Sequence, residues 1–345
     1  MLRYEHGGDI YGKGEILLDF SVSTNPLGLP ESVRKALVEQ VDDYSRYPDP
    51  RCRELAAALA RYHGVPPSLV LCGNGASDLL FRFCAYLQPR TALTLAPGFS
   101  EYGRAVTLFG GAIREHRLRE EQGFALTEEI LSELTPDVQT LFLCNPNNPT
   151  GRLAAPELLA GIADACAARR ILLVLDECFI DFTEGESLAP LLRRYPRLVI
   201  VRAFTKLYAM AGLRLGYLLC ADPELLARIA AFGPAWNVSV AAQAAGLAAL
   251  QVSGWAGRTR ALIREERALM RQELARLGLT VYPSDANFLL VRSEKPLYGP
   301  LLDRGVLVRS CANFSGLDER YLRLGLQTRE NNLKLLGFIA EVLDD

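Results

Sequence analysis

Four stretches of this 345-residue chain put reactive side chains directly behind apolar runs. FTKLYAMAGLRLGY carries an amine, Lys206, preceded by Thr205 and followed eight residues later by Arg214. LLVLDE ends on the acids Asp176 and Glu177. TLFLC runs into Asn145-Pro-Asn-Asn-Pro-Thr-Gly151, and LVLC runs into Gly73-Asn-Gly-Ala-Ser77. A lysine amine kept partly dry and near other cations loses its proton easily and becomes a nucleophile. A glycine turn opening a helix, together with an arginine fork, is a phosphate site. A carboxylate opposite them can hold a cationic group. Each feature alone is weak: a lysine after a strand is often solvated, and a Gly-Asn-Gly turn is often only a turn.

Their placement gives them weight. Short apolar runs at Leu69–Cys72, Ala92–Leu95, Gln139–Cys144, Ile171–Leu175, Leu198–Val201 and Gly216–Leu219 read as strands. Several are apolar on consecutive residues, which suits strands covered on both faces. Helical patterns lie between them at Pro30–Val41, Cys52–His63, Ala76–Leu87, Pro156–Ala168, Pro223–Phe232, Ser239–Gln251 and Trp255–Leu277, three of them opening on proline. The alternation predicts an α/β fold with a large, mostly parallel, mixed sheet of the seven-stranded type. In such sheets ligands bind beyond the carboxyl ends of the strands, where all four reactive stretches fall. Leu279–Val281, Phe288–Arg292, Val306–Arg309 and Tyr321–Leu326 predict further strands in a smaller α+β domain. The expected division is an arm and part of the small domain over 1–40, a large cofactor-binding domain over 41–250 and a small domain over 251–345.

Together these motifs resemble the fold-type I pyridoxal-phosphate enzymes of the class I/II aminotransferase family, and the resemblance covers nearly the whole chain. It implies pyridoxal 5'-phosphate as cofactor and assigns roles residue by residue. Lys206 matches the Schiff-base lysine. Asp176 matches the carboxylate that pairs with the pyridinium nitrogen and makes the ring an electron sink. Arg214 matches the phosphate-binding arginine, and Gly75, Ala76 and Ser77 match the turn whose amides meet the same phosphate. Thr205 adds its hydroxyl there, and Asn148 matches the donor to the phenolate oxygen. Phe99, in APGFSEY, falls where the family stacks an aromatic on the ring, with Tyr102 nearby. Tyr47, in SRYPDP, matches a tyrosine that reaches the phosphate of the neighbouring subunit, which implies a homodimer. The chain departs from the common pattern at Phe179, where many members have tyrosine, and at Ala203, where many have Ser or Thr.

At the substrate end, Arg323 in YLRLGL matches the family arginine for a carboxylate, and Arg309 in GVLVRSC lies fourteen residues earlier. Two arginines suit a dianionic substrate. With the His6-Gly7-Gly8 opening, Asn25 in DFSVSTNPLGLP, and the CANFSGL segment, the ensemble resembles the threonine-phosphate decarboxylases. Those enzymes supply aminopropanol phosphate to cobalamin synthesis. The resemblance implies that His6, Asn25, Arg309 and Arg323 hold L-threonine O-3-phosphate, a small phosphorylated amino acid. The histidinol-phosphate aminotransferases share almost all the cofactor residues, so transamination with 2-oxoglutarate stays open. A non-catalytic sensor fused to a DNA-binding module is a third reading. It is disfavoured because only ~45 residues precede the Tyr47 motif, fewer than an ordinary domain.

Composition narrows the rest. Lys+Arg number 38 against 40 Asp+Glu, a net charge of -2 with no long run of one sign, so no nucleic-acid partner is expected. Eight cysteines lie mostly in apolar runs with no CxxC pair, and the three histidines have no metal-ligand spacing, so no metal is expected. The polar, glycine-rich opening lacks a signal-peptide core, and no stretch is apolar for long enough to span a membrane. A cytoplasmic protein is the expectation.

Overall fold

The computed structural model describes residues 6–345. Thirteen strands follow in chain order. They are β1 (Leu18–Asp19), β2 (Val70–Gly73), β3 (Thr91–Ala96), β4 (Ala112–Arg117), β5 (Thr140–Cys144), β6 (Leu172–Asp176) and β7 (Leu198–Ala203). Then come β8 (Gly216–Cys220), β9 (Thr280–Val281), β10 (Phe288–Arg292), β11 (Val306–Leu307), β12 (Arg309–Ser310) and β13 (Tyr321–Gly325). A seven-stranded sheet has the order β2-β8-β7-β6-β5-β3-β4 and is parallel except at β8, which runs antiparallel to both its neighbours.

Two apolar layers cover this sheet, and the pleat of the central strands sorts their side chains between them. Leu141, Leu143, Leu173, Leu175, Leu198 and Ile200 enter one core, while Phe142, Cys144, Val174, Val199 and Val201 enter the other. Alternate residues of a strand point to opposite faces, so a continuous apolar run is what a doubly covered strand requires. Each fully buried Leu, Ile, Val or Phe contributes roughly 1.5–3 kcal/mol relative to exposure. The covering helices begin where the chain supplies a start. Pro156 and Pro223 open theirs, and the Asp222 carboxylate accepts from the amides of Glu224 and Leu225.

The expected strands and helices are present with small shifts in their ends. The exceptions are physical. β4, with the sequence AIREHR, was not expected as a strand: it is an edge strand, half exposed, and its charges disguise it. The single strand expected over Val306–Arg309 is two. β11 pairs in parallel with β1, and one residue later β12 pairs antiparallel with β13. The chain switches sheets at Val308, which brings Arg309 opposite Arg323. The N-terminal segment is thereby tied to the small four-stranded sheet β12-β13-β10-β9, since Gly325 also donates its amide to the Phe20 carbonyl at 2.9 Å.

β5 and β6 end level, with Cys144 opposite Asp176, and Asp176 lies opposite Val201, two residues before the end of β7. Next to them the turn before the Ala76–Leu87 helix is packed against β8. A methyl group on Gly216 would lie 2.6 Å from the Ala76 nitrogen and 2.8 Å from the Gly75 carbonyl carbon. Those are backbone atoms that cannot rotate away. Gly216→Ala should therefore cost ~1–3 kcal/mol of stability, read as a lowered urea midpoint at unchanged slope, and should weaken phosphate-ligand binding at the displaced turn.

Candidate active site

A cavity of about 350 Å³ opens at these strand ends, a size suited to a small ligand. Ala76, Ser77, Phe99, Asn148, Asp176, Thr205, Lys206, Arg214, His6, Arg309 and Arg323 all line it. The motifs spread over more than three hundred residues of sequence thus converge on one space.

Lys206 sits in the short Phe204–Leu207 helix that ends β7, its Nζ 5.5 Å from the centre of the Phe179 ring. Burial, then the nearby Arg323 guanidinium, bring its ammonium down to about 8. An amine held there is part neutral near neutral pH and so is a competent nucleophile. Asp176 is buried at the end of β6; its carboxylate accepts from the Tyr102 hydroxyl at 2.7 Å and from the Cys178 amide at 2.9 Å. Tyr102 is fully enclosed, and burial next to the Asp176 charge raises its own hydroxyl well above the usual range. Its ring stacks on Phe142 and meets Phe99 edge-on at 5.4 Å, so Tyr102 braces the acid from behind while Phe99 forms the cavity wall.

The anion cradle is built from a helix start and a guanidinium. Gly75, at φ +84, precedes the Ala76–Leu87 helix, whose first amides have no side-chain cap. A β-carbon at Gly75 would fall 2.8 Å from Arg214 Nη2, so only glycine lets the guanidinium come that close. Arg214 itself takes a left-handed backbone, φ 56, and donates to the Ala211 carbonyl at 3.1 Å. With Ser77 and Thr205 on the same wall, this set fits the phosphate of pyridoxal phosphate. Asn148 Oδ1 accepts from Arg323 Nη1 at 2.7 Å, which fixes the side-chain amide with its NH₂ as the donor edge. Phe179 and Ala203 also line the cavity, so the two departures from the family pattern leave no hydroxyl at either place.

On the substrate side, Arg309 and Arg323 stand opposite each other in adjacent strands and both are buried. Arg323 Nη2 donates to the Ser21 carbonyl at 2.8 Å, and its guanidinium lies 5.3 Å from the Phe288 ring. Burial pulls the Arg323 guanidinium down to about 10. Arg309 donates to Asn313 Oδ1 at 2.8 Å. His6 Nε2 donates to Glu101 Oε1 at 3.1 Å from the pocket mouth.

One expected residue is elsewhere, and Tyr47, expected at a neighbouring subunit's site, is not in its own. Asn25 does not face the cavity. Its amide donates to the Leu207 carbonyl and to Thr259 Oγ1, both at 2.7 Å, and its backbone amide donates to the Lys206 carbonyl at 3.0 Å. Its donors are spent on the backbone at Lys206 and Leu207 and on Thr259, which rules it out as a substrate ligand. Tyr47 lies outside the cavity of its own chain, 80% exposed, with its ring 4.7 Å from Trp236. Glu101, Arg104, Cys178, Ser21 and Phe314 line the pocket without having been expected. Glu101 could have been found from APGFSEY, as an acid in the first turn of a helix entered from a strand end. Burial works against its charge, but His6 and Arg104 outweigh that and hold its carboxyl below the ordinary range.

This fold and this site define a fold-type I pyridoxal-phosphate enzyme. The chain belongs to the aminotransferase class I and II family, whose model matches residues 15–339. It is 45% identical to a threonine-phosphate decarboxylase of Salmonella typhimurium over 98% of this chain and 96% of that one. It is 32% identical to the histidinol-phosphate aminotransferase of Bacillus subtilis over 96% of this chain and 93% of that one. The crystal structure of the histidinol-phosphate aminotransferase from Clostridium acetobutylicum superposes with a TM-score of 0.89 at 29% identity, covering 95% of this chain and 99% of that one.

With its ammonium brought down to about 8, the neutral fraction of the Lys206 amine rises steeply around neutral pH. Cofactor-free protein should form its covalent bond to pyridoxal phosphate about tenfold faster at about pH 9 than at about pH 7, then level off, because half the amine is neutral near 8. An ordinary lysine would keep accelerating past about pH 10. Stopped-flow absorbance distinguishes the two profiles, and Lys206→Ala should form no bond at any pH.

Proposed function

We propose that the chain decarboxylates L-threonine O-3-phosphate to (R)-1-aminopropan-2-yl phosphate and carbon dioxide, in the service of cobalamin synthesis. The observation that carries this reading is the buried, in-register pair Arg309 and Arg323 on the wall of the Lys206 cavity. Two guanidinium groups suit one substrate bearing both a carboxylate and a phosphate. Threonine phosphate has both. Histidinol phosphate has only the phosphate, although its co-substrate 2-oxoglutarate carries two carboxylates that could use the same pair. The higher identity to the decarboxylase than to the aminotransferase supports the same choice.

Pyridoxal phosphate, when bound, supplies an electron sink for the pair left on the substrate α-carbon. Asp176, Asn148, Arg214, Thr205 and the Gly75–Ser77 turn are the residues that would hold it. Which bond gives up that pair would be decided by the pose that the chain's own residues impose. His6, Arg309 and Arg323 would grip the anionic groups and set the α-carboxylate as the group that leaves. Phe99, Phe179 and Phe314 wall the space with apolar surface and limit water. Lys206 Nζ, poised near 8, returns a proton to the α-carbon after the carboxylate has left. The same amine would instead remove the α-proton if the pose turned that bond upright, which is the aminotransferase outcome.

Holoenzyme given threonine phosphate should release carbon dioxide in step with aminopropanol phosphate. Given histidinol phosphate and 2-oxoglutarate it should form no glutamate. Glutamate without carbon dioxide would reverse the assignment. We also propose that two copies pair so that Tyr47 completes the neighbouring site, a reading supported by its exposure beside the half-exposed Trp236. Mixing Tyr47→Ala with Lys206→Ala subunits should then restore activity, because one site of each mixed dimer regains both side chains. If Tyr47 served its own chain, mixing would restore none.

A further inference from the structure

The segment at His6 is seated on the small-sheet side by backbone packing that only glycine permits. A β-carbon on Gly7 would fall 2.0 Å from the Ser21 carbonyl oxygen, and one on Gly8, at φ +82, would fall 2.8 Å from Val22 Cγ1. The Gly8 amide donates to Ser21 Oγ at 2.7 Å. From this seat the His6 ring crosses the pocket mouth to the Ser100–Leu108 helix on the large sheet, where it meets Glu101. The Glu101 side chain is only 8% exposed. One of its oxygens takes His6 and the other takes Arg104 Nη1 at 3.0 Å.

A carboxylate on the wall of a pocket for an anionic substrate is doubly unfavourable. It loses hydration, and it repels the ligand. Both costs are offset only while each oxygen accepts a hydrogen bond, one from His6 and one from Arg104. The arrangement makes sense if its purpose is to hold the histidine.

We propose that Glu101 is a positioning residue that latches His6 across the mouth of the site and so presents the imidazole to the phosphate group of the substrate. The substrate part of this inference rests on the decarboxylase reading; the latch itself does not. Glu101 leaves the reacting atoms alone and acts through His6, so its removal acts on binding of the phosphorylated substrate rather than on the chemical step.

Glu101→Gln keeps the shape but cannot accept from both His6 and Arg104, because one terminal atom becomes a donor. In the holoenzyme, this variant should raise KM for threonine phosphate about tenfold with the loss falling in KM rather than kcat. His6→Ala should do the same, and the double variant should be no worse than His6→Ala alone, since both remove one interaction. Hydrogen exchange gives a second, substrate-free reading: peptides containing Gly7 and Gly8 should exchange about tenfold faster in Glu101→Gln, with the large sheet unchanged. Wild-type exchange at those glycines, or single-variant effects that multiply in the double variant, would overturn the latch. A wild-type enzyme that does not act on threonine phosphate would instead overturn the proposed reaction, and the exchange experiment would still decide the latch.

Discussion

Lys206 and Arg323 are two cations buried in one cavity, each without bulk water to screen it from the other. Burial first, and the Arg323 charge second, make Lys206 give up its proton easily. Arg323 cannot yield, so the fold holds it by geometry: Asn148 Oδ1 and the Ser21 carbonyl accept two of its N–H groups, and Phe288 offers its ring face. Those acceptors are neutral, so they satisfy the donors without cancelling the charge. The field left over attracts anions into a dry space, where it acts more strongly than at a surface.

The same constraint explains why the sheet matters so much. Side chains on three loops can share one small cavity only if the strands that carry them end side by side. Cys144, Asp176 and Val201 are in register across three parallel strands, and the loops that follow bring in Asn148, Asp176 itself and Lys206. Two apolar layers hold that register, because a slip of one residue would swap Leu173 and Leu175 with Val174 between the two cores.

Much of this could be read from residues alone, for a simple reason. A strand buried on both faces must be apolar at every position, and a ligand-binding strand end must break that run with polar side chains. The junction of the two is conspicuous in TLFLCNPNN and LLVLDE. Where burial is one-sided the signal fades. AIREHR pairs with β3 along its whole length yet reads as a polar segment. Asn25 shows a different failure. Its neighbours mark it as close to the site, which it is, but sequence proximity cannot say whether an amide points at the ligand or at the backbone behind it. Here the Leu207 carbonyl and Thr259 claim it. The split of Val306–Arg309 into β11 and β12 was equally hidden, because both halves of the run are buried and only the choice of partner strand differs.

Phe179 then takes on a meaning beyond a missing hydroxyl. With no phenol at that position, the amide of Asn148 is the polar group left on that wall, and its orientation is set by Arg323. Arg323 in turn is anchored on Ser21, whose hydroxyl accepts the Gly8 amide and so seats the segment bearing His6. His6 closes the circuit on Glu101, two residues after Phe99 and one before the Tyr102 that braces Asp176. Hydrogen bonds thus link Asn148 through Arg323 to Ser21 and the Gly8 amide, and His6 to Glu101, so that side chains from both sheets around the cavity are held relative to one another.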